Sequence, residues 1–237
     1  MKKIKAQNIP FDIIYEDKYI LIINKKADCI VHTNNSVKKN TVVNGLINHL
    51  KKPYNIPRSG LAHRLDKNTT GLMIITKDIQ SQKNIMLQFR RKDIKKFYVA
   101  IVHGNLFSGG TIINTVKRDK KNHLKMQIVK NNSSQNAITH FRIIGKYEKY
   151  TLLNIKLETG KTHQIRIHFS DLRHPIVGDK LYNNQFTEKN RKNGMSYQML
   201  HAKSLNFLHP KTGKHMSFFA DIPVHFKLFL ENLKRKT

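Results

Sequence analysis

The chain of 237 residues holds one cysteine, Cys29, and no tryptophan. A single thiol excludes a disulfide framework and any zinc ribbon built on cysteine, and it is compatible with a reducing compartment. Acidic residues are scarce too: Asp and Glu number 15 against 44 Lys and Arg, a formal charge of +29. Few carboxylates are therefore available for acid–base or nucleophilic work. The densest apolar run, Tyr19 to Ile23, is far too short to span a bilayer, and no apolar core of a signal peptide follows the basic opening from Met1 to Gln7. The phosphate loop G-x-x-x-x-G-K-[ST], the dinucleotide fingerprint G-x-G-x-x-G and a nucleophile elbow are all missing. His163 and His168 do not stand in H-E-x-x-H spacing, and no cysteine cluster joins them. Nucleotide-driven chemistry, serine hydrolysis and metal catalysis are thus unsupported, and a cytoplasmic protein is expected.

What is present is globular in composition, with 39% hydrophobic and 25% charged residues. A chain of this length can bury a real core without metal or disulfide. The cationic excess argues for a polyanionic partner, nucleic acid ahead of an anionic membrane, although abundant Lys, Asn and Ile also reflect AT-rich codons.

Along the chain, Phe11 to Tyr15 and Tyr19 to Ile23 read as a hairpin around Glu16-Asp17-Lys18. Thr41 to Leu50 has helical spacing with Thr41 as N-cap, and Lys51 to Gly60 reads as a loop. Leu72 to Thr76 reads as a buried strand, Asp78 to Lys92 as a basic helix, Phe97 to Val102 as a strand and Lys117 to Lys125 as a basic loop. Ile138 to Ile144 and Leu152 to Leu157 alternate as antiparallel strands, and Thr162 to Leu172 has helical spacing. Ser204 to Phe207 and Met216 to Phe219 flank a turn at His209 to Gly213, and His225 to Lys234 closes the chain as a helix. Strands outnumber helices without alternating with them, which predicts an α+β fold with a mixed or antiparallel sheet.

Two segments concentrate chemistry. In His63-Arg64-Leu65-Asp66-Lys67-Asn68-Thr69-Thr70-Gly71, a turn ahead of an apolar strand, Asp66 lies among cations that favour a carboxylate able to act as nucleophile or base. The same residue could equally be a structural turn aspartate bonded to local amides. The second segment, Thr159 to His168, opens a helix after a glycine turn, with Gln164 and His168 on one face. Arg166 there suits a buried carboxylate because its fork binds bidentately and stays charged, while the segment alone also fits an amphipathic helix whose polar face meets solvent or phosphate.

Taken in order, these segments resemble the RluA-type pseudouridine synthases. His63-Arg64-Leu65-Asp66-x-x-Thr69-Thr70-Gly71 resembles the family's signature, Lys96-Phe97-Tyr98-Val99-Ala100 its tyrosine strand, and Gly160 to His168 its arginine helix. His174-Pro175-Ile176-Val177-Gly178-Asp179, Leu200-His201-Ala202 and His209-Pro210-x-x-Gly213 continue the likeness. Within the family the chain is most similar to the D-type enzymes of 23S rRNA. The resemblance implies an α+β catalytic fold, a mixed and mostly antiparallel sheet with flanking helices, as a single domain over 9–237 behind a short basic lead-in at 1–8. It implies cofactor-free, metal-free isomerisation of uridine in RNA. Asp66, Tyr98 and Arg166 would be catalytic, Arg166 pairing with Asp66 and Tyr98 lying against the uracil. His63, Arg64, Lys161, His163 and Gln164 would bind RNA, Arg64 filling the space of a flipped uridine. Two departures are expected: no N-terminal RNA-binding domain, and Lys161 where the family usually has arginine. The partner is RNA, 23S rRNA foremost, and no membrane; the default is a monomer. A tRNA-directed synthase and a non-catalytic RNA-binding or ribosome-assembly protein are the alternatives.

Overall fold

The computed structural model describes residues 4–33, 37–51, 56–129, 136–183 and 197–233. Among them ten strands and four α-helices give the expected α+β class. The domain expected over 9–237 contains two compact units, one drawn from residues 1–94 with 204–220, the other from 95–203 with 221–237.

In the first unit, β1 (Asp12–Glu16), β2 (Ile20–Lys25) and β3 (Thr70–Thr76) form an antiparallel sheet in which Ile13 faces Ile23 and Ile22 faces Ile74. Asp17 shapes the β1–β2 turn by accepting from the amides of Tyr19 and Ile20 at 2.7 and 2.8 Å. Ile20 to Ile23 and Leu72 to Ile75 are buried on both faces, so these strands appear as continuous apolar runs rather than as alternation. Ile20, Ile22, Leu72 and Ile74 pack with Ile85 of α2 (Ile79–Arg91) and with Leu205 and Phe207 of β9 (Leu200–Leu208), a strand that begins in the second unit. α1 (Val42–Leu50) starts at Thr41, whose side chain accepts from the Asn44 amide while the Asn44 side chain accepts from that of Thr41. Asp78 caps α2 through the Ser81 amide at 2.8 Å. β9 pairs with β10 (His215–Phe219) in the expected late hairpin. The His209 Nδ1 accepts from the Lys211 and Thr212 amides, which leaves the proton on Nε2 to meet Asp17 at 2.8 Å.

In the second unit, β4 (Lys95–His103), β8 (Tyr150–Leu157), β7 (Ala137–Lys146), β5 (Gly110–Arg118) and β6 (Met126–Val129) lie side by side in that order, each pair antiparallel. α3 (Gln164–Asp171) covers one face, where its Phe169 meets Phe141 edge-on at 5.2 Å. On the other face Val99 and Ile101 pack with Val177, Met199 and Phe226 of α4 (Val224–Glu231). Register places Tyr98 beside Ile155 and Phe141, and Lys96 beside Leu157 and Thr139. Both side chains therefore belong to the face that α3 covers.

Three expectations need correction. The basic loop over Lys117 to Lys125 is the end of a hairpin: Lys117 and Arg118 belong to β5 and pair with Gln127 and Met126. The helix expected from Thr162 begins at Gln164, because His163 is left-handed at φ 56. The closing helix spans Val224–Glu231, short of Lys234, which lies outside the described residues. Residues 52–55 of the expected Lys51 to Gly60 loop, and all of 184–196, lie outside them as well; Pro57–Gly60 forms a tight turn.

Candidate active site

Asp66 stands at the head of a turn closed by the Thr69 amide donating to its carbonyl at 3.2 Å. Leu65, 5% exposed, anchors the approach, Gly71 at φ +111 starts the run into β3, and the Asp66 side chain is half-buried. Just upstream, Arg58, Ser59 and Gly60 are all left-handed, and a Cβ on Gly60 would lie 2.1 Å from the Thr76 carbonyl oxygen, so only glycine fits this crossing. Arg64 is exposed beside Asp66. The His63 Nε2 accepts from the Ile74 amide at 2.9 Å, which puts its proton on Nδ1, and its ring lies 5.1 Å from that of Phe89.

Lys25, at the end of β2 and 3% exposed, was not singled out by the sequence. Its ammonium donates to the carbonyls of Lys26, Cys29 and Lys67 at 2.8, 3.0 and 2.9 Å, and the Cys29 amide reaches the Lys67 carbonyl at 3.2 Å. The residue after Asp66 is thus held from inside the unit. Burial pushes the Lys25 amine down to about 8, against the opposing influence of Cys29, Asp66 and Asp28. Its only signature was a lysine close behind the apolar run of β2.

In the second unit Tyr98 is 8% exposed on β4. Arg166, 5% exposed on α3, binds Asp179 bidentately, Nε to Oδ2 at 2.7 Å and Nη2 to Oδ1 at 3.0 Å. Asp179 is fully buried and also accepts from the amides of Leu181 and Tyr182 at 3.0 and 3.2 Å. The Arg166 guanidinium carbon sits 5.1 Å from the centre of the Tyr182 ring, a cation–π geometry. The Tyr182 hydroxyl in turn accepts from the Met126 amide at 2.7 Å and meets His163 Nδ1 at 2.9 Å. Gly178, at φ +76, lets the chain pass where a Cβ would lie 2.0 Å from the Tyr197 carbonyl oxygen, which delivers Asp179 to Arg166.

Gln164 uses its whole amide inside the unit. Its Oε1 accepts from the Thr159 hydroxyl and the Lys161 amide at 2.8 and 3.0 Å, and its Nε2 donates to the Ile138 carbonyl and the Thr139 hydroxyl, both at 3.0 Å. Lys161 itself is exposed. The expected site residues therefore form two sets: His63, Arg64 and Asp66 around the turn in the first unit, and Tyr98, Lys161, His163, Gln164 and Arg166 around α3 in the second. Asp179 and Tyr182 were missed as site residues; Asp179 stood in a quoted motif without a role.

The β5–β6 hairpin adds exposed Lys117, Arg118, Lys120 and Lys121, with Asp119 accepting from the Lys121 and Asn122 amides to shape the tip. Among the described residues no group of three or more His, Cys, Asp or Glu is gathered to hold a metal ion, and no helix is long and apolar enough to cross a membrane.

A family profile described as RNA pseudouridylate synthase matches residues 19–171. Over 243 residues the chain is 35% identical to ribosomal large subunit pseudouridine synthase D of Vibrio parahaemolyticus, covering 98% of this chain and 74% of that protein. Over 238 residues it is 36% identical to the Pseudomonas aeruginosa protein of the same name, covering 97% and 74%. Two human structures, RNA Pseudouridylate Synthase Domain Containing 1 and Domain Containing 4, share its fold. The first has 22% identity and a TM-score of 0.72 over 92% of this chain and 86% of its own; the second has 23% identity and 0.71 over 95% and 94%.

Proposed function

The chain belongs to the RNA pseudouridylate synthase family, so its reaction is the isomerisation of uridine to pseudouridine in RNA, and we propose that its substrate is large-subunit ribosomal RNA with Asp66 as the catalytic carboxylate. The N1–C1′ bond breaks, the uracil turns, and C5 joins C1′ while the C5 proton leaves and N1 takes one up. No electrons enter or leave, so no redox cofactor is called for. Asp66 acts on the sugar, by attack at C1′ or by removal of the 2′ proton. Tyr98 lies against the uracil and takes the C5 proton. Arg166, held by Asp179, contributes a buried positive charge to the reaction. Arg64 occupies the space vacated by the flipped uridine, which costs least to extrude from a loop.

Lys161, His163 and the basic hairpin contact the RNA backbone, adding affinity without sequence information. His63 and Gln164 are better assigned to positioning, since His63 receives a backbone amide and the Gln164 amide is fully used within its unit. The ribosomal target is supported by relatives at 35–36% identity named for the large subunit, and it puts the enzyme where ribosomes assemble, in the cytoplasm.

The observation that carries the reading is the Asp66 turn, in its motif order and with its backbone held by Lys25. Tritium release from C5-labelled, unmodified 23S rRNA and tRNA tests it, native protein against Asp66→Asn. Release from 23S rRNA that vanishes in Asp66→Asn, with RNA binding intact, is expected. Release from tRNA alone would overturn the target, and no release from either would overturn the catalytic role.

A further inference from the structure

Beneath the helix that carries Arg166 lies a lysine that none of these steps uses. Lys96 is 7% exposed on β4, two residues before Tyr98 and on the same face. Its cross-strand neighbours, Leu157 and then Thr139, set it in the row under the start of α3. Its Nζ donates to the Thr159 carbonyl at 3.2 Å, and a Cβ on Gly160 would lie 3.5 Å from the same nitrogen. The ammonium thus presses against the turn that launches the arginine helix.

From Thr159 a chain of hydrogen bonds continues into the helix. The Thr159 hydroxyl accepts from the Ile138 amide at 2.8 Å and donates to Gln164, whose Nε2 donates to the Thr139 hydroxyl. Thr139 in turn meets His168 Nδ1 at 2.9 Å. Burial pushes His168 down to about 4, so its imidazole is neutral. Lys96 is the end of this chain that lies on the tyrosine strand.

We propose that Lys96 is a positioning residue for pseudouridine formation, fixing the 159–161 turn against β4 and so setting the Arg166 helix relative to Tyr98. This rests on the function proposed above. A methionine would fill the same volume without the cost of desolvating a cation, so packing of the row does not itself call for lysine. What methionine cannot do is hold the Thr159 carbonyl. Released, the turn would let Gln164 and α3 shift, and a displacement of about 1 Å in a reacting group costs on the order of a hundredfold in rate.

The test uses the full chain as Lys96→Met, beside native protein and Asp66→Asn. Tritium release from C5-labelled 23S rRNA gives kcat and KM, filter retention gives RNA affinity, and thermal melting reports folding. The expected result is a kcat lowered about a hundredfold, with KM and RNA affinity within about twofold of native and an undiminished melting temperature. An unchanged kcat overturns the proposal, and so does a loss of kcat, affinity and melting temperature together, which marks a structural lysine. Should Lys96→Met fail to fold, Lys96→Leu decides by the same criteria, since it too has no donor for the Thr159 carbonyl. Native protein inactive on every RNA overturns this proposal together with the function it rests on. Active native protein, inactive Asp66→Asn and unimpaired Lys96→Met overturn this one alone.

Discussion

Asp179 accepts four hydrogen bonds in a site with no exposure, two from Arg166 and two from backbone amides. Its charge is what allows the Arg166 guanidinium to stay buried, because an isolated cation there would be far more costly than the pair. Asp179→Asn keeps the shape and removes the charge, and it turns an amide NH2 toward donors. Removing one partner of a buried ion pair costs about 3–5 kcal/mol, so the urea midpoint of Asp179→Asn should fall by a corresponding amount. Its kcat should fall as well, since Arg166 loses the fork that aims it. A midpoint within error of native would show that the pair contributes nothing net to folding.

The β5–β6 hairpin shows both what an element can do here and why it was hard to see. In β5 only Ile112 and Thr115 are buried, and its apolar residues Ile112, Ile113 and Val116 do not alternate, so it gave no period-2 signal and its basic end read as a loop. By contrast α1 and α2 were legible from Thr41 and Asp78, whose side chains cap them, and β2 and β3 from unbroken apolar runs. Lys25 was not singled out, and Lys96 stood in a quoted motif without a role of its own, because 44 basic residues crowd the chain and composition does not distinguish the buried ones. Asp66 and Arg166 could be picked out from motif and local charge. Asp179 could not, because its pairing to Arg166 bridges 13 residues across a turn that Gly178 alone makes passable. The hairpin's own role is testable. Changing Lys117, Lys120 and Lys121 to glutamine should weaken RNA binding and flatten the plot of log affinity against log salt by roughly 0.7–0.9 per lost phosphate contact. At saturating RNA, kcat should hold. An unaltered salt slope would remove the hairpin from the RNA contact.

For the molecule as a whole, several buried groups titrate in the same sense. Burial pushes Lys25 and Lys96 down to about 8 and His168 down to about 4. Unfolding returns them to ordinary values, about 10.4 for lysine and 6.5 for histidine, so the unfolded chain binds more protons between each pair of values. Stability rises with pH wherever that holds. It should therefore be lost as pH falls from about 6.5 to 4, through His168, with His103 and His225 lowered by burial in the same direction. It should be gained as pH climbs from about 8 toward 10.4, through the two lysines. The Cys29 thiol and the Tyr150 phenol are pushed up by burial and oppose the alkaline gain, since the folded chain holds their protons longer. Two lysines held at about 8 by burial outweigh them at the start of that window, each lysine contributing about 3 kcal/mol at most. Loss of positive charge from a chain at +29 adds to the gain by easing self-repulsion. The melting temperature should accordingly peak on the alkaline side of neutrality, above the usual optimum of pH 5 to 8. Lys96→Met should flatten the limb above pH 8 and leave the acid limb intact, whereas His168→Gln should do the reverse. Melting curves at fixed ionic strength from pH 4 to 10 decide it, and a peak below pH 7 would show that the lysines are charged at no cost to folding.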